Sequence, residues 1–433
     1  MKTKMLSCAV FASAALLQAE NWPQWRGPAF NGSTPEKNLP AKFSRTENLK
    51  WSVDLPGPSA ATPVIWNDTV FISTTDRQKR SLLAMALDRK TGRVLWQNEV
   101  SPGYNRDDKS TLASASPVTD GKMVCFFYGN GELVTFDLSG KKIWSRNIQA
   151  DYGDFAYQWT FSASPLLHNG KLYIQVLQRD QPVHGHGKEN GESYLLALDP
   201  ASGKTLWKVA RPNDAVAESK EAYSTPVPFE FNGRKEIILI GGDCLTGHDP
   251  ETGRELWRWG TWNPSKIGHW RLVPSATVGG GVILACAPKN APVYAIKAGG
   301  SGHLDDSAIA WKSEPRDGLT SDVATPAFYD GDFFILKEQR GALSRVDPKT
   351  GKIKWSTPLP GTKKYESSPT AGDGKVYCFN FAGDVVVLDA AKGEILQAVS
   401  LGEPGDDMIR SAISLAQGNV FVRTNTKLFC FGQ

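Results

Sequence analysis

The residues of this chain best suited to chemistry stand in short stretches, each just upstream of the same small signature. Tyr104, Asn105, Arg106 and Lys109 precede Ala115-Ser116-Pro117, and Asp154, Tyr157 and Trp159 precede Ala163-Ser164-Pro165. Trp262, His269, Trp270 and Arg271 precede Ser275-Ala276, and Arg316, Asp317 and Asp322 precede Ala324-Thr325-Pro326. Tyr365 and Glu366 precede Ser368-Pro369, and Arg410 precedes Ile413-Ser414. By type, Trp159 or Trp270 could stack on a flat ligand. Asn105, Lys109, Arg271 and Arg410 could hold its polar or carboxylate groups. Asp322 or Glu366 could ligate a metal or act as a general base. The same residues would equally solvate a water-filled channel and pair with one another.

Other motifs carry less. His184-Gly185-His186 is half a metal site at most, and it sits in a polar insertion, Asp180 to Glu192, that reads as a loop. Gly279-Gly280-Gly281 lies between two strand-like runs with no helix after it, so it reads as a hairpin turn and not a phosphate cradle. There is no serine-hydrolase elbow, Walker loop or zincin helix. The net charge of +4 comes without any dense Lys/Arg block, which argues against nucleic acid as a partner. The cysteines are scattered through apolar runs such as Val124-Cys125-Phe126, as small buried hydrophobes are.

The elements that must position these residues repeat. Asp, three residues, Gly, three residues, Trp recurs at Asp88–Gly92–Trp96, Asp199–Gly203–Trp207, Asp249–Gly253–Trp257 and Asp347–Gly351–Trp355. Asp137–Gly140–Trp144 is one residue shorter, Asp389–Gly393–Gln397 loses the Trp, and Trp311 ends a degenerate copy with an insertion after Ile296. Asp bonding forward to backbone amides and Gly at a left-handed position make a tight hairpin. The small-Ser/Thr-Pro signature precedes each hairpin pair, with Pro, or its stand-in, at 63, 117, 165, 226, 276, 326, 369 and 414. Spacings of about 40–60 with four strands each mean propeller blades. The fold expected is an all-β, eight-bladed propeller of four-stranded antiparallel blades over 48–433. Its last blade is closed by the N-terminal strand around Trp51. Trp51, Trp96, Trp144, Trp207, Trp257, Trp311 and Trp355 are expected to dock each blade on the next.

The N-terminus predicts export. Lys2 and Lys4 precede an apolar run from Leu6 to Leu17, with a cut after Ala19. Cys8 lies before most of that run, which favours an ordinary cleaved signal over a lipoprotein. No later segment is apolar enough to span a bilayer. Residues 20–47 then form an N-terminal extension, and the product is expected to be a monomeric ring, periplasmic or secreted.

The run Leu196-Ala197-Leu198-Asp199-Pro200-Ala201-Ser202-Gly203-Lys204-Thr205-Leu206-Trp207 resembles the tryptophan-docking repeat of quinoprotein-type, PQQ-like β-propellers, and the resemblance covers roughly 48–432. Trp22-Pro23-Gln24-Trp25-Arg26-Gly27-Pro28 looks like the leader of secreted bacterial members with no assigned reaction. The resemblance implies one of two roles. Dehydrogenases of the family hold pyrroloquinoline quinone (PQQ) with calcium at the channel mouth, and the BamB type binds proteins instead. For a quinone, Trp159 or Trp270 would stack, Arg271 and Arg410 would meet its carboxylates, and Asp322 and Glu366 would ligate or act as base. This chain departs from the dehydrogenases. It lacks their adjacent cysteine pair, and their Glu, Asn and Asp calcium ligands have no matching positions. The expectation is a non-catalytic, BamB-like exported propeller with no resident cofactor or metal, binding a protein, peptide or glycan on its loop face. The alternative is a PQQ-dependent oxidoreductase with PQQ and calcium at the mouth.

Overall fold

The computed structural model describes residues 20–104, 107, 109–314, 318–338 and 341–433. The expected signal segment 1–19, with Cys8, and the candidates Asn105, Arg106, Arg316 and Asp317 lie outside the described residues. The chain is an eight-bladed β-propeller of antiparallel sheets. Blade 1 shows the pattern: Val64–Trp66, Thr69–Asp76, Ser81–Asp88 and Val94–Pro102, paired in that order from channel to rim. Ring closure joins the two ends of the chain. Leu49–Asp54 pairs with Lys427–Gly432 as the outer strand of blade 8, setting Trp51 opposite Cys430. This closure removes the open seam that an unclosed ring would leave.

The hairpin chemistry repeats from blade to blade. Asp88 accepts from the backbone N–H groups of Lys90 and Thr91, and Asp347 does the same for Lys349 and Thr350. The glycine that follows serves two ends. Gly351 has φ +71°, and a Cβ there would stand 2.7 Å from the Trp311 ring of the preceding blade. The indoles of Trp51, Trp96, Trp144, Trp207, Trp311 and Trp355 thus each lie on the turn of the next blade. Trp311 Nε1 donates to Pro348 O at 2.7 Å, Trp96 to Leu138 O at 3.0 Å and Trp144 to Pro200 O at 2.8 Å. Trp51 reaches Arg89 O and Trp355 reaches Ala390 O in the same way. Trp207 lies on Gly253, but its Nε1 has no partner, because Tyr173 Oη donates to the equivalent carbonyl, Pro250 O.

Trp257 does not follow its sequence pattern. It turns into its own sheet and donates to Glu236 Oε2 at 2.6 Å. The reason lies in blade 5, whose hairpin has Lys297 in place of the Asp and Ser301 in place of the Gly, and whose Gly299 lies on Phe231 of blade 4. Trp259, two residues on, packs against blade 5 instead, through the strand residue Tyr294, with ring centroids 5.2 Å apart. The insertion after Ile296 also adds a fifth strand to blade 4. Gly302–His303 pairs parallel with Glu255–Trp259 and covers its edge, so one blade is not four-stranded.

The innermost strands are stitched by hydroxyls. Thr62 N–H donates to Ser116 Oγ, Ser116 N–H to Ser164 Oγ, and Ser164 N–H to Thr225 Oγ1. Thr225 N–H continues to Ser275 Oγ, Ser275 N–H to Thr325 Oγ1, and Thr325 N–H to Ser368 Oγ. Ala412 N–H carries the belt from blade 8 back to Thr62 Oγ1 at 3.1 Å, and Ala412, having no hydroxyl, leaves it open between blades 7 and 8. The belt corrects the register read from sequence. In blade 8 the belt position is Ala412, one residue earlier than the Ile413-Ser414 alignment places it. A second set of bonds agrees: Thr277, Thr370 and Ser414, each two residues past the belt, donate to Pro326, Ile413 and Pro63 of the next blade.

Candidate functional site

The belt fixes what faces the channel. In extended backbone, residues two apart share a face. The layer above the belt is therefore Ala60, Ser114, Ser162 and Tyr223 in blades 1–4, then Val273, Val323, Glu366 and Arg410 in blades 5–8. All eight line one cavity of about 150 Å³, with Lys109, Trp159 and Arg271 from the loops above. The walls are lopsided, apolar at blades 5 and 6 and charged at blades 7 and 8.

The extension supplies the far end. Trp22 pairs with Ile65, Pro23 O accepts from Thr119 N–H, and Gly32 and Thr34 bracket Ala371. These partners lie past the belt, so the segment crosses the face of the ring opposite the mouth loops. Arg26 anchors it. Its guanidinium is buried and donates to Pro369 O at 3.1 Å and Pro326 O at 2.9 Å. Burial pushes its pKa down to about 9, which leaves it charged at neutral pH. Trp25, beside it, lines the same cavity as the mouth residues. The channel is thus a well with a tryptophan floor.

Charge at the mouth is mostly paired. Arg410 Nε donates to Glu366 Oε2 at 2.9 Å, and its NH1 to Lys109 O. Arg271 NH1 donates to Glu218 Oε1 at 2.8 Å. Lys109 Nζ lies 5.3 Å from the Trp159 ring centre, and the Arg271 guanidinium lies 5.9 Å from it. Beneath Trp159, Glu221 is fully buried and receives Arg179, the Tyr223 hydroxyl and the Gln158 N–H. Burial raises its pKa and that of Tyr223.

Five of the sequence candidates share this well: Lys109, Trp159, Arg271, Glu366 and Arg410. Two do not. Asp322 accepts from Lys289 N–H at 2.7 Å and faces its Nζ, tying a blade 5 loop to blade 6. Its own N–H is held by the buried carboxylate of Glu338, which also takes the N–H groups of Val323 and Ala324. Trp270 is half-buried and packs on the blade 4–5 core. His184 faces Gln158 at 2.9 Å, while the 180–192 insertion folds back through a Val183–His186 pair. Among the described residues no three His, Cys, Asp or Glu side chains converge as a metal site. Tyr223, Ser162 and Trp25 were not singled out from sequence. The first two stand two residues before the belt, where Glu366 and Arg410 also stand, and that spacing is the signal that finds them.

A family profile described as outer membrane protein assembly factor BamB matches residues 41–181 and 191–432. Among curated proteins, the chain is 24% identical over 245 residues to a polyvinylalcohol dehydrogenase of Pseudomonas sp., covering 54% of this chain and 35% of that one. It is 23% identical over 392 residues to the quinoprotein alcohol dehydrogenase PedH of Pseudomonas putida, covering 81% and 60%. The chain thus spans between about a third and three-fifths of the length of these relatives. Among solved structures, BamB from Moraxella catarrhalis superposes with a TM-score of 0.61 at 13% identity, covering 89% of this chain and 99% of that one. A europium-containing methanol dehydrogenase superposes with a TM-score of 0.71 at 11% identity, covering 96% and 98%. At such identities the structural likeness speaks for the fold alone.

Proposed function

The chain belongs to the family of the outer membrane protein assembly factor BamB, and on that premise we propose that it is an exported, non-catalytic binding propeller whose ligand or partner (protein, peptide or glycan) engages the well at its mouth. One observation carries this reading. Glu366, the one carboxylate among the described lining residues, is held by Arg410, and Glu218 and Glu221 beside the well are held by Arg271 and Arg179. No free base or activated nucleophile remains among the described lining residues. The Lys2–Leu17 pattern supports export. No helix among the described residues is long and apolar enough to cross a membrane.

A quinone oxidoreductase is the second reading, favoured by the Trp159 face between Lys109 and Arg271 and by the dehydrogenase relatives. Calcium-bound PQQ needs converging oxygen ligands. Asp322 stands outside the well on Lys289, and Glu366 is committed to Arg410. The donor set among the described residues does not fit that cofactor with its calcium. Titration of the purified protein with PQQ and calcium separates the two readings. Binding alone is expected to leave the thermal midpoint and the cofactor absorbance unmoved at high micromolar PQQ. A saturable rise in midpoint that disappears in Arg271→Gln would overturn the non-catalytic reading.

A further inference from the structure

We propose that the well takes, end-on, a single organic monocarboxylate group with a compact apolar body, either a small free acid or the C-terminal residue of a polypeptide; this rests on the binding reading above and names its ligand chemistry. Three independent features converge on it.

The first is a donor surplus. Each belt hydroxyl accepts a backbone N–H, and none of Ser116, Ser164, Thr225, Thr325 and Ser368 donates its own proton to an acceptor among the described residues. All five line the well. A hydroxyl has one proton to give, so the belt offers an arc of O–H donors. Water can meet such donors, and a carboxylate meets several at once through its four lone-pair sites.

The second is charge. Glu218 neutralises Arg271 and Glu366 neutralises Arg410. Asp107 spends its oxygens on the backbone N–H groups of Lys109, Ser110 and Thr160 and on the Thr160 hydroxyl. Among the described residues the Lys109 ammonium is left without a carboxylate partner, facing only the Trp159 ring. Asp107 keeps its charge, but its oxygens are turned onto N–H groups, so among the described lining cations the Lys109 ammonium is the one open to a direct ion pair with a carboxylate.

The third is shape. The extension places Trp25 at the far end of the well, an arrangement that suits the end of a ligand entering from the mouth. Val273 and Val323 line one side, and about 150 Å³ suits a phenyl-sized body.

The experiment is calorimetric titration of the full chain with 3-phenylpropionate and its neutral isostere 3-phenylpropionamide. A short peptide ending in phenylalanine, as free acid and as amide, supplies the second arm. The acids are expected to bind at one site per chain, at least tenfold more tightly than the amides. Lys109→Gln is expected to erase that preference without moving the unfolding midpoint. Binding of the free acid alone identifies a small-molecule ligand, and equal binding of the peptide acid identifies a chain terminus. Acids and amides binding alike, a preference that survives Lys109→Gln, or no saturable binding at millimolar acid would each overturn the monocarboxylate inference. None of those results would bear on the PQQ titration, which tests the binding reading separately.

Discussion

Trp311→Ala is expected to lower the stability of the ring by about 3–5 kcal/mol, the usual cost of deleting a buried tryptophan. The indole is 8% exposed, lies on the next blade's turn and donates to Pro348 O. Gly351→Ala should also destabilise, by about 1–3 kcal/mol, because its Cβ would collide with that ring and its φ is positive. The two changes should not add. Once the indole is gone, the Cβ at 351 has room, so the double variant should be more stable than the sum of losses by about 1 kcal/mol or more. Denaturant midpoints at constant m-value measure all three. Additive losses would mean that Trp311 acts within its own blade, as Trp257 does.

Acidification should destabilise the molecule through blade 4. His248 is buried, with Nδ1 on Gly253 O at 2.9 Å and Nε2 on Thr246 Oγ1 at 3.0 Å. Burial pushes its pKa down from 6.5 to about 4. Between those values the unfolded chain takes up a proton that the folded one refuses, so stability rises with pH there. The contribution is complete above pH 6.5 and is lost as pH falls to about 4. The shift corresponds to about 3 kcal/mol. Asp243, pushed up to about 6 by burial, works in the opposite sense, since its protonated form is the one the fold favours. The comparison with His248→Gln isolates the histidine. The difference in unfolding free energy between wild type and variant should shrink by most of that amount from pH 7 to pH 4, and a constant difference would rule the histidine out as the source.

Much of this fold is legible in the residues because its chemistry is local. Asp, Gly and Trp sit on one hairpin, and the small-Ser/Thr-Pro signature marks each inner strand. Trp51 could be assigned to the last blade because that blade lacks an outer strand of its own. What stayed hidden depends on neighbours in space. Trp257 carries the repeat pattern, yet the turn of its partner blade has Ser301 where the pattern has Gly and meets Phe231 at Gly299, and Glu236 takes the indole instead. The belt position in blade 8 has neither Pro nor hydroxyl, so its register slips by one until Ala412 N–H is seen on Thr62. Trp25 lies in a segment that reads only as an extension, and nothing local says that it reaches the channel.

The site was half legible for the same reason. Glu366, Arg410 and Tyr223 each stand two residues before a belt position and face the well. Asp322 stands three before and faces Lys289. Strand parity separates them, and parity is fixed only once the belt is known.

Thiol labelling at Ser162→Cys tests the anion-receiving well most directly, in a chain that begins at Glu20. Ser162 lines the well, and the five native cysteines beyond residue 19 are buried and will stay silent. An anionic methanethiosulfonate should react at least about fivefold faster than a cationic one of similar size at low salt, the ratio falling as salt screens the field. Equal rates, or a faster cationic reagent, would contradict a well built to receive an anion.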